Sequence, residues 1–347
     1  MTDPRCEWSK KMNKTIVELF AGIGGFSVGF NQLKAGWKTI WFNQYEPAHK
    51  QQHAFKCLTA NHNVTNPDAN KDICLINKAD IPDHTLLVAG FPCQDFSVAK
   101  PKSQAKGLKG SKGMMWFQIY ETLKVKQPPF VFLENVDRLL ISNGGNDFQL
   151  ILSQLDELGY GVQYAVLTAS DYGCATKRKR LYIFAYHNTT KFYQQPFEIF
   201  KRLVLMDGVK LKQCLLPYDD SYILTNTQLE RMKTYKDAKR IERTRPDGTK
   251  YFYSEGAMAL AELESKPART LLTSEGGLNR SSHIIYDKAN NVYRFLTPNE
   301  IETIHNFPKD YTQMLPKKMR YFVIGNSVVV KMIRLIGSVI NEIVENE

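Results

Sequence analysis

Residues Thr15–Phe26 read TIVELFAGIGGF. The first half, Thr15–Phe20, is a short β-branched run of the kind that forms a buried strand. The second half is broken by Gly22, Gly24 and Gly25, and passes into SVGFNQLKAG, which reads as a helix ending near Gly36. Strand, glycine turn and helix together open a βαβ unit in which a ligand can approach the backbone closely. The glycines do not follow the GxGxxG spacing of a dinucleotide site, and no GK[ST] follows to make a P-loop. A glycine turn without phosphate-binding features suits a nucleoside ligand lacking phosphate, although a purely structural turn would look the same.

Downstream the pattern repeats. WKTIWFNQ, Asp83–Pro92, Pro129–Val136 (PFVFLENV), VQYAVLTAS and RLYIFAY read as strands. HKQQHAFKCLTANH, MMWFQIYETLKVKQ and FQLILSQLDELGY read as helices between them. Alternation of this kind predicts an α/β fold, a doubly wound, mostly parallel, Rossmann-like sheet covered on both faces, with ligands at the carboxyl ends of its strands. After Tyr186 the alternation stops. Residues 188–265 are rich in Lys, Arg and Tyr around KRIERTRPDGTKYFYSEG and read as a second, smaller basic domain; a solvated insertion is the plainer alternative. The expected organisation is therefore a first domain over 1–187, the basic domain over 188–265, and a return to the first over 266–347. In that last part Thr297, Pro298 and Glu300 form a capping-box signature, and a final helix is expected from about Ser327 to Val344.

Two residues stand where chemistry is done in such folds. Cys93, in GFPCQDFS, follows one buried strand, and Glu134, in FLENV, ends the next. A thiol and a carboxyl at one sheet edge make a nucleophile with an acid partner, although each alone is more often inert. At the end of the second strand, Gln44, Tyr45 and Glu46 offer groups for ribose hydroxyls and an aromatic face for a base. Asp72-Ile73 could supply a further carboxylate.

Composition adds a partner class. The 46 Lys and Arg against 35 Asp and Glu leave a net charge of +11, which suits a polyanion such as nucleic acid. The six Cys form no CxxC pair, so no metal site is expected. With a polar N-terminal stretch and no stretch of about 18 apolar residues, neither a leader nor a membrane span is expected, and the reducing cytoplasm is the expected compartment.

The ordered blocks ELFAGIGGF, NQYEP, KDI, GFPCQDFS, KGSKGMMWF, FLENV, ASDYGCATKRKR, RTLLTSEGGLNRSSHII and GNSVVVKMI resemble those of the bacterial cytosine-5 DNA methyltransferases over nearly the full chain. The resemblance implies the methyltransferase version of the fold, S-adenosyl-L-methionine as cofactor and duplex DNA as partner. It implies Cys93 as nucleophile at cytosine carbon 6, Glu134 at ring nitrogen 3, and Arg178 and Arg180 holding the flipped base. Phe20, Gly22, Gly25, Tyr45, Asp72, Ile73, Pro92, Met115, Asn326, Ser327 and Val328 fall on cofactor positions. Either Gln44 or Glu46 meets the ribose, because Gln44 stands where the family has Glu. Ser97, Lys112, Arg240, Arg243, Arg245 and Lys250 are the expected DNA contacts, and Lys100–Gly113 a lid over DNA. The chain after Gly325 is expected to pack beside the glycine loop. A monomer on DNA, with a separate cognate restriction endonuclease, completes the expectation. The alternatives are the same chemistry on tRNA, or a silent nucleic-acid-binding protein.

Overall fold

The computed structural model describes residues 12–91, 114–245 and 247–347. The first part of the chain contains β1 (Thr15–Leu19), α1 (Gly25–Asn31), β2 (Lys38–Asn43), α2 (His53–Asn61), β3 (Leu86–Gly90), α3 (Met114–Lys126), β4 (Phe130–Asn135), α4 (Asn146–Glu157), β5 (Tyr160–Thr168) and β6 (Lys179–His187). These strands form one sheet in the order β2-β1-β3-β4-β6-β5. The first four are parallel, and β6 runs antiparallel to both β4 and β5. Chain order reverses between β1 and β3, the place where such sheets open a crevice at their carboxyl ends.

Alternation along the strands sends side chains to two different cores. Ile16, Leu86, Val88, Phe130, Phe132 and Phe184 lie on one face, against Ile333, Ile336 and Ile340 of the C-terminal helix. Val17, Leu87, Val131, Leu133 and Ile183 lie on the other, against Trp116, Ile119 and Leu123 of α3 and Phe148, Ile151 and Leu155 of α4. The spacing of Phe148, Ile151 and Leu155 is that of one helix face. The expected α/β sheet covered on both sides is what the chain forms.

Beyond β6 come the short α5 (Lys191–Gln194), α6 (Asn226–Lys236), the antiparallel ribbon β7 (Lys239–Thr244) and β8 (Lys250–Glu255), and a second hairpin, β9 (Ile284–Asp287) with β10 (Val292–Phe295). Phe192 and Ile199 pack in the first core. Ile284 and Phe295, past residue 265, share a separate small core with Leu224 and Met232. Apolar packing thus draws the β9–β10 hairpin onto α6.

The chain ends with α7 (Pro298–Ile304), α8 (Lys317–Asn326) and α9 (Val330–Glu345). The capping box at α7 is present: Thr297 Oγ1 accepts from Glu300 N–H at 3.2 Å, and Glu300 accepts from Thr297 N–H at 2.7 Å. Three details differ from expectation. Helix α1 stops at Asn31, because Lys34 and Gly36 take positive φ to turn the chain towards β2. The final helix starts at Val330, not Ser327, since Ser327–Val329 is extended and joins α8 to α9. Finally, Lys317–Glu345 does have the length and composition to cross a membrane. It is broken at that joint, however, and Val330, Met332, Ile333, Ile336 and Ile340 of α9 are spent in the protein interior.

Candidate active site at the carboxyl edge of the sheet

Strand β1 runs out at Leu19 into a turn in which Phe20, Gly22 and Gly24 have φ of 53°, 58° and 82°. For a bulky residue such as Phe20 that conformation is costly and needs support. Support comes from β2 and from behind: Ala21 N–H donates to Asn43 O at 2.9 Å and Gly22 N–H to Gln44 Oε1 at 2.7 Å. Tyr311 Oη donates to Ile23 O at 2.6 Å and lies 2.8 Å from His62 Nε2. A Cβ on Gly22 would meet nothing within 4 Å, so the turn opens onto free space. Buried Glu18, at the end of β1, accepts from Phe26 N–H and Ser27 N–H at 3.3 and 3.1 Å, and also from the Ser27 hydroxyl. It thereby caps the first turn of α1. Burial pushes its pKa up to about 7, against those three hydrogen bonds.

Several of the expected cofactor residues lie at or beside this turn, and Gln44 and Glu46 make different contacts. Glu46 Oε2 accepts from Ala54 N–H at 2.9 Å, so its carboxylate is used at the start of α2. Gln44 is the one that reaches the glycine turn, while Tyr45 beside it is 40% exposed. Asp72 accepts from Cys74 N–H at 3.0 Å, Ile73 is buried, and Met115 packs on the α3 side of the sheet. Gly25 lies against Val328, so the segment after Gly325 does return beside the glycine loop. Asn326 there is exposed, and Ser327 Oγ donates to Ile324 O at 2.7 Å.

Two strands along, Gly90 and Glu134 are direct partners in the β3–β4 register. Asn135 Nδ2 donates to Phe91 O at 3.0 Å, tying the end of β3 to the end of β4. Arg180, on β6, places Nε 3.0 Å from Glu134 Oε1. The contact is an ion pair without hydrogen-bond alignment, so among the described residues none donates a hydrogen bond to that buried oxygen. Arg178 behaves differently. It is 4% exposed and donates to Gly325 O at 3.1 Å and Leu271 O at 3.4 Å, and burial with neighbouring Arg180 pulls its pKa down to about 10. Of the expected pair, Arg180 faces Glu134 and Arg178 faces the protein.

Pro92, Cys93, Ser97, Lys112 and the expected lid over Lys100–Gly113 lie outside the described residues. The four described cysteines, Cys57, Cys74, Cys174 and Cys214, are all free thiols. Burial pushes their pKa up to about 12, 11, 12 and 11, so they are poor sources of thiolate. In the basic domain, Arg240, Arg243, Arg245 and Lys250 come together on the β7–β8 ribbon or its turn. Arg240 lies over Phe252, Arg243 over Tyr253 and Arg245 over Tyr251, at 4.2, 3.8 and 5.2 Å from the ring centres. Sequence reading missed Asn135, which joins the two strand ends, and Glu18, which caps α1; adjacency to the ENV and glycine blocks was the available signal.

A glycine turn at the switch point of a doubly wound sheet, with a carboxyl–guanidinium pair farther along the same edge, marks an α/β protein with a ligand site at its strand ends. Known structures agree on the fold. The Entamoeba histolytica methyltransferase EhMeth superposes with a TM-score of 0.71 at 19% identity, covering 96% of this chain and 99% of that one. Dnmt2 of S. pombe gives 0.71 at 16% identity over 94% and 98%. The sequence profile of the C-5 cytosine-specific DNA methylases matches residues 14–342, and the chain belongs to that family. Its relatives include the type II methyltransferase M.Sau3AI of Staphylococcus aureus, 34% identical over 96% of this chain and 97% of that protein. M.HhaI of Haemophilus parahaemolyticus is 27% identical over 92% of each. The protein is a DNA cytosine-5 methyltransferase.

Proposed function

We propose that the enzyme extrudes a cytosine from duplex DNA and methylates it with Cys93 as nucleophile. The observation that carries this reading is the Glu134–Arg180 pair at 3.0 Å, held at the edge where β3 delivers the chain towards Cys93. Two peptide units, each spanning about 3.8 Å, separate Cys93 from Phe91, whose carbonyl is tied to Asn135. In the reaction, Cys93 Sγ adds to carbon 6, while Glu134 holds a proton at nitrogen 3 and accepts from the exocyclic amine. The resulting enamine makes carbon 5 nucleophilic. After methylation, carbon 5 loses its proton and the sulfur is expelled. Arg180 orients Glu134, and Arg178 secures the Gly325 segment beside it.

S-adenosyl-L-methionine would supply the electrophilic sulfonium methyl. The open turn at Gly22, Gln44 and exposed Tyr45, with Asp72, Phe20 and Asn326–Val328 around them, fits its nucleoside, and Gln44 rather than Glu46 would face the ribose. The β7–β8 ribbon, with Arg240, Arg243, Arg245 and Lys250, would contact the DNA, since a two-stranded ribbon fits the major groove. Ser97 and Lys112 would add contacts near the extruded base. A restriction–modification role with a separate endonuclease, in the cytoplasm and as a monomer on DNA, accords with this reading. The deciding experiment uses duplex DNA carrying 5-fluorocytosine, with tRNA as control. A covalent adduct with the DNA, lost in Cys93→Ser, is expected; an adduct that persists in Cys93→Ser, or label appearing only in tRNA, overturns the mechanism.

A further inference from the structure

A two-stranded ribbon has no third strand to fix its direction, so its pose depends on its base. One side chain fastens both ends of that base. Arg280 Nη1 donates to Tyr235 O at 2.9 Å and Asp237 O at 2.6 Å, on the chain that enters β7. Its Nη2 donates to Gly256 O, and its Nε pairs with Glu255 Oε2 at 3.1 Å, on the chain that leaves β8. Five fixed N–H donors in a plane suit such a junction, whereas a lysine offers a single point.

The segment carrying Arg280 is itself stiff. Asn279 Oδ1 accepts from Ser281 and Ser282 N–H at 3.1 and 3.2 Å, and its Nδ2 donates to Ser274 O at 2.6 Å. Buried Glu275 accepts from His283 N–H at 2.9 Å and lies 2.8 Å from His283 Nδ1. Just upstream, Leu271 O accepts from Arg178, and Gly325 sits so close that a Cβ there would lie 2.6 Å from the backbone of Leu272 and Thr273. One braced segment, 271–283, therefore touches the ribbon at one end and the catalytic edge at the other.

We propose that Arg280 is a positioning residue for recognition. It sets the pose of the β7–β8 ribbon relative to Glu134 and Arg180, and so decides which cytosine in the duplex is presented. The inference rests on the reading that the ribbon contacts DNA. The test compares wild type, Arg280→Ala, Arg280→Lys and Glu255→Gln on plasmid DNA with tritiated S-adenosylmethionine, and maps methylated sites in expressing cells by bisulfite-type sequencing. Arg280→Ala should raise KM for DNA about tenfold and spread methylation to near-cognate sites. Its kcat at saturating DNA and its KM for S-adenosylmethionine should stay within about twofold. Arg280→Lys should restore part of the selectivity and Glu255→Gln should lose part of it, so these two carry the test if the alanine variant does not fold. Parallel loss of kcat, cofactor affinity and DNA affinity would reduce Arg280 to general scaffolding and overturn the proposal, as would an unchanged map with unchanged KM. If ribbon variants such as Arg240→Ala leave DNA binding untouched, the ribbon reading fails instead.

Discussion

The carboxyl edge of the sheet and the basic ribbon spend polar side chains in opposite ways. At the edge, Glu18, Glu134, Asn135 and Arg178 are all under 9% exposed and are held by strand register and backbone partners. On the ribbon, Arg240, Arg243 and Arg245 are exposed, and each lies over an aromatic ring. A buried polar group is held by what it would cost to leave it unpaired, whereas an exposed cation–π contact holds by about 0.5–1 kcal/mol and can be exchanged for a phosphate or a base. On the proposed reading, chemistry would be fixed by the fold, and recognition would be carried by side chains that change partners. Single substitutions should then have large effects at the edge and graded ones on the ribbon.

The largest effect is expected at Glu134. Glu134→Gln keeps the shape but cannot hold the proton at nitrogen 3 and accept from the amine together, so single-turnover methylation should slow by about 10²–10⁴. A rate within tenfold of wild type would break the contrast and remove Glu134 from the mechanism. Next comes Glu18, which tests how strongly the edge is bound into the core. Its pKa is raised in the fold from 4.5 to about 7. As pH rises, the unfolded chain therefore ionises first. Stability owed to Glu18 is full below about 4.5, declines between about 4.5 and 7, and is flat above, with a total change of about 3 kcal/mol. Urea unfolding of wild type against Glu18→Gln across that range should show a difference that changes with pH inside the window only; parallel curves would mean the acid is not perturbed.

How much of this was legible in the sequence divides along the same line. The glycine turn, GFPC and ENV are local strings, and strand alternation placed Glu134 at the end of a strand, where it lies beside Gly90. Arg178 and Arg180 look equivalent in KRKR, yet one bonds Gly325 O and the other faces Glu134. That choice depends on a segment 147 residues away. Gln44 and Glu46 look alike in the sequence, and the bond from Ala54 N–H to Glu46 at the start of α2 depends on packing the sequence does not show. Strand β7, KRIERT, escaped reading because neither of its faces is buried and no apolar alternation marks it. Arg280 carried no local signal at all, since its partners, three carbonyls and the Glu255 carboxylate, lie 24 to 45 residues distant.

The smallest effect sharpens the contrast from the ribbon side. Arg243 stands 3.8 Å over Tyr253 and is exposed, so Arg243→Ala should lower stability by no more than about 1 kcal/mol. Its effect should appear only when DNA is present, and its form tells what the guanidinium reads. If Arg243 holds a phosphate, DNA affinity falls a few-fold on all sequences alike, and the slope of log affinity against log salt drops by about 1. If it reads guanine through its two-pronged donor face, the salt slope holds and discrimination at one position of the site is lost, by about 1–3 kcal/mol. Fluorescence anisotropy with cognate and singly altered duplexes at several salt concentrations separates the two. A variant that binds with wild-type affinity, slope and selectivity would show that Arg243 stays on its ring in the complex, and that the exchange falls to other cations of the ribbon.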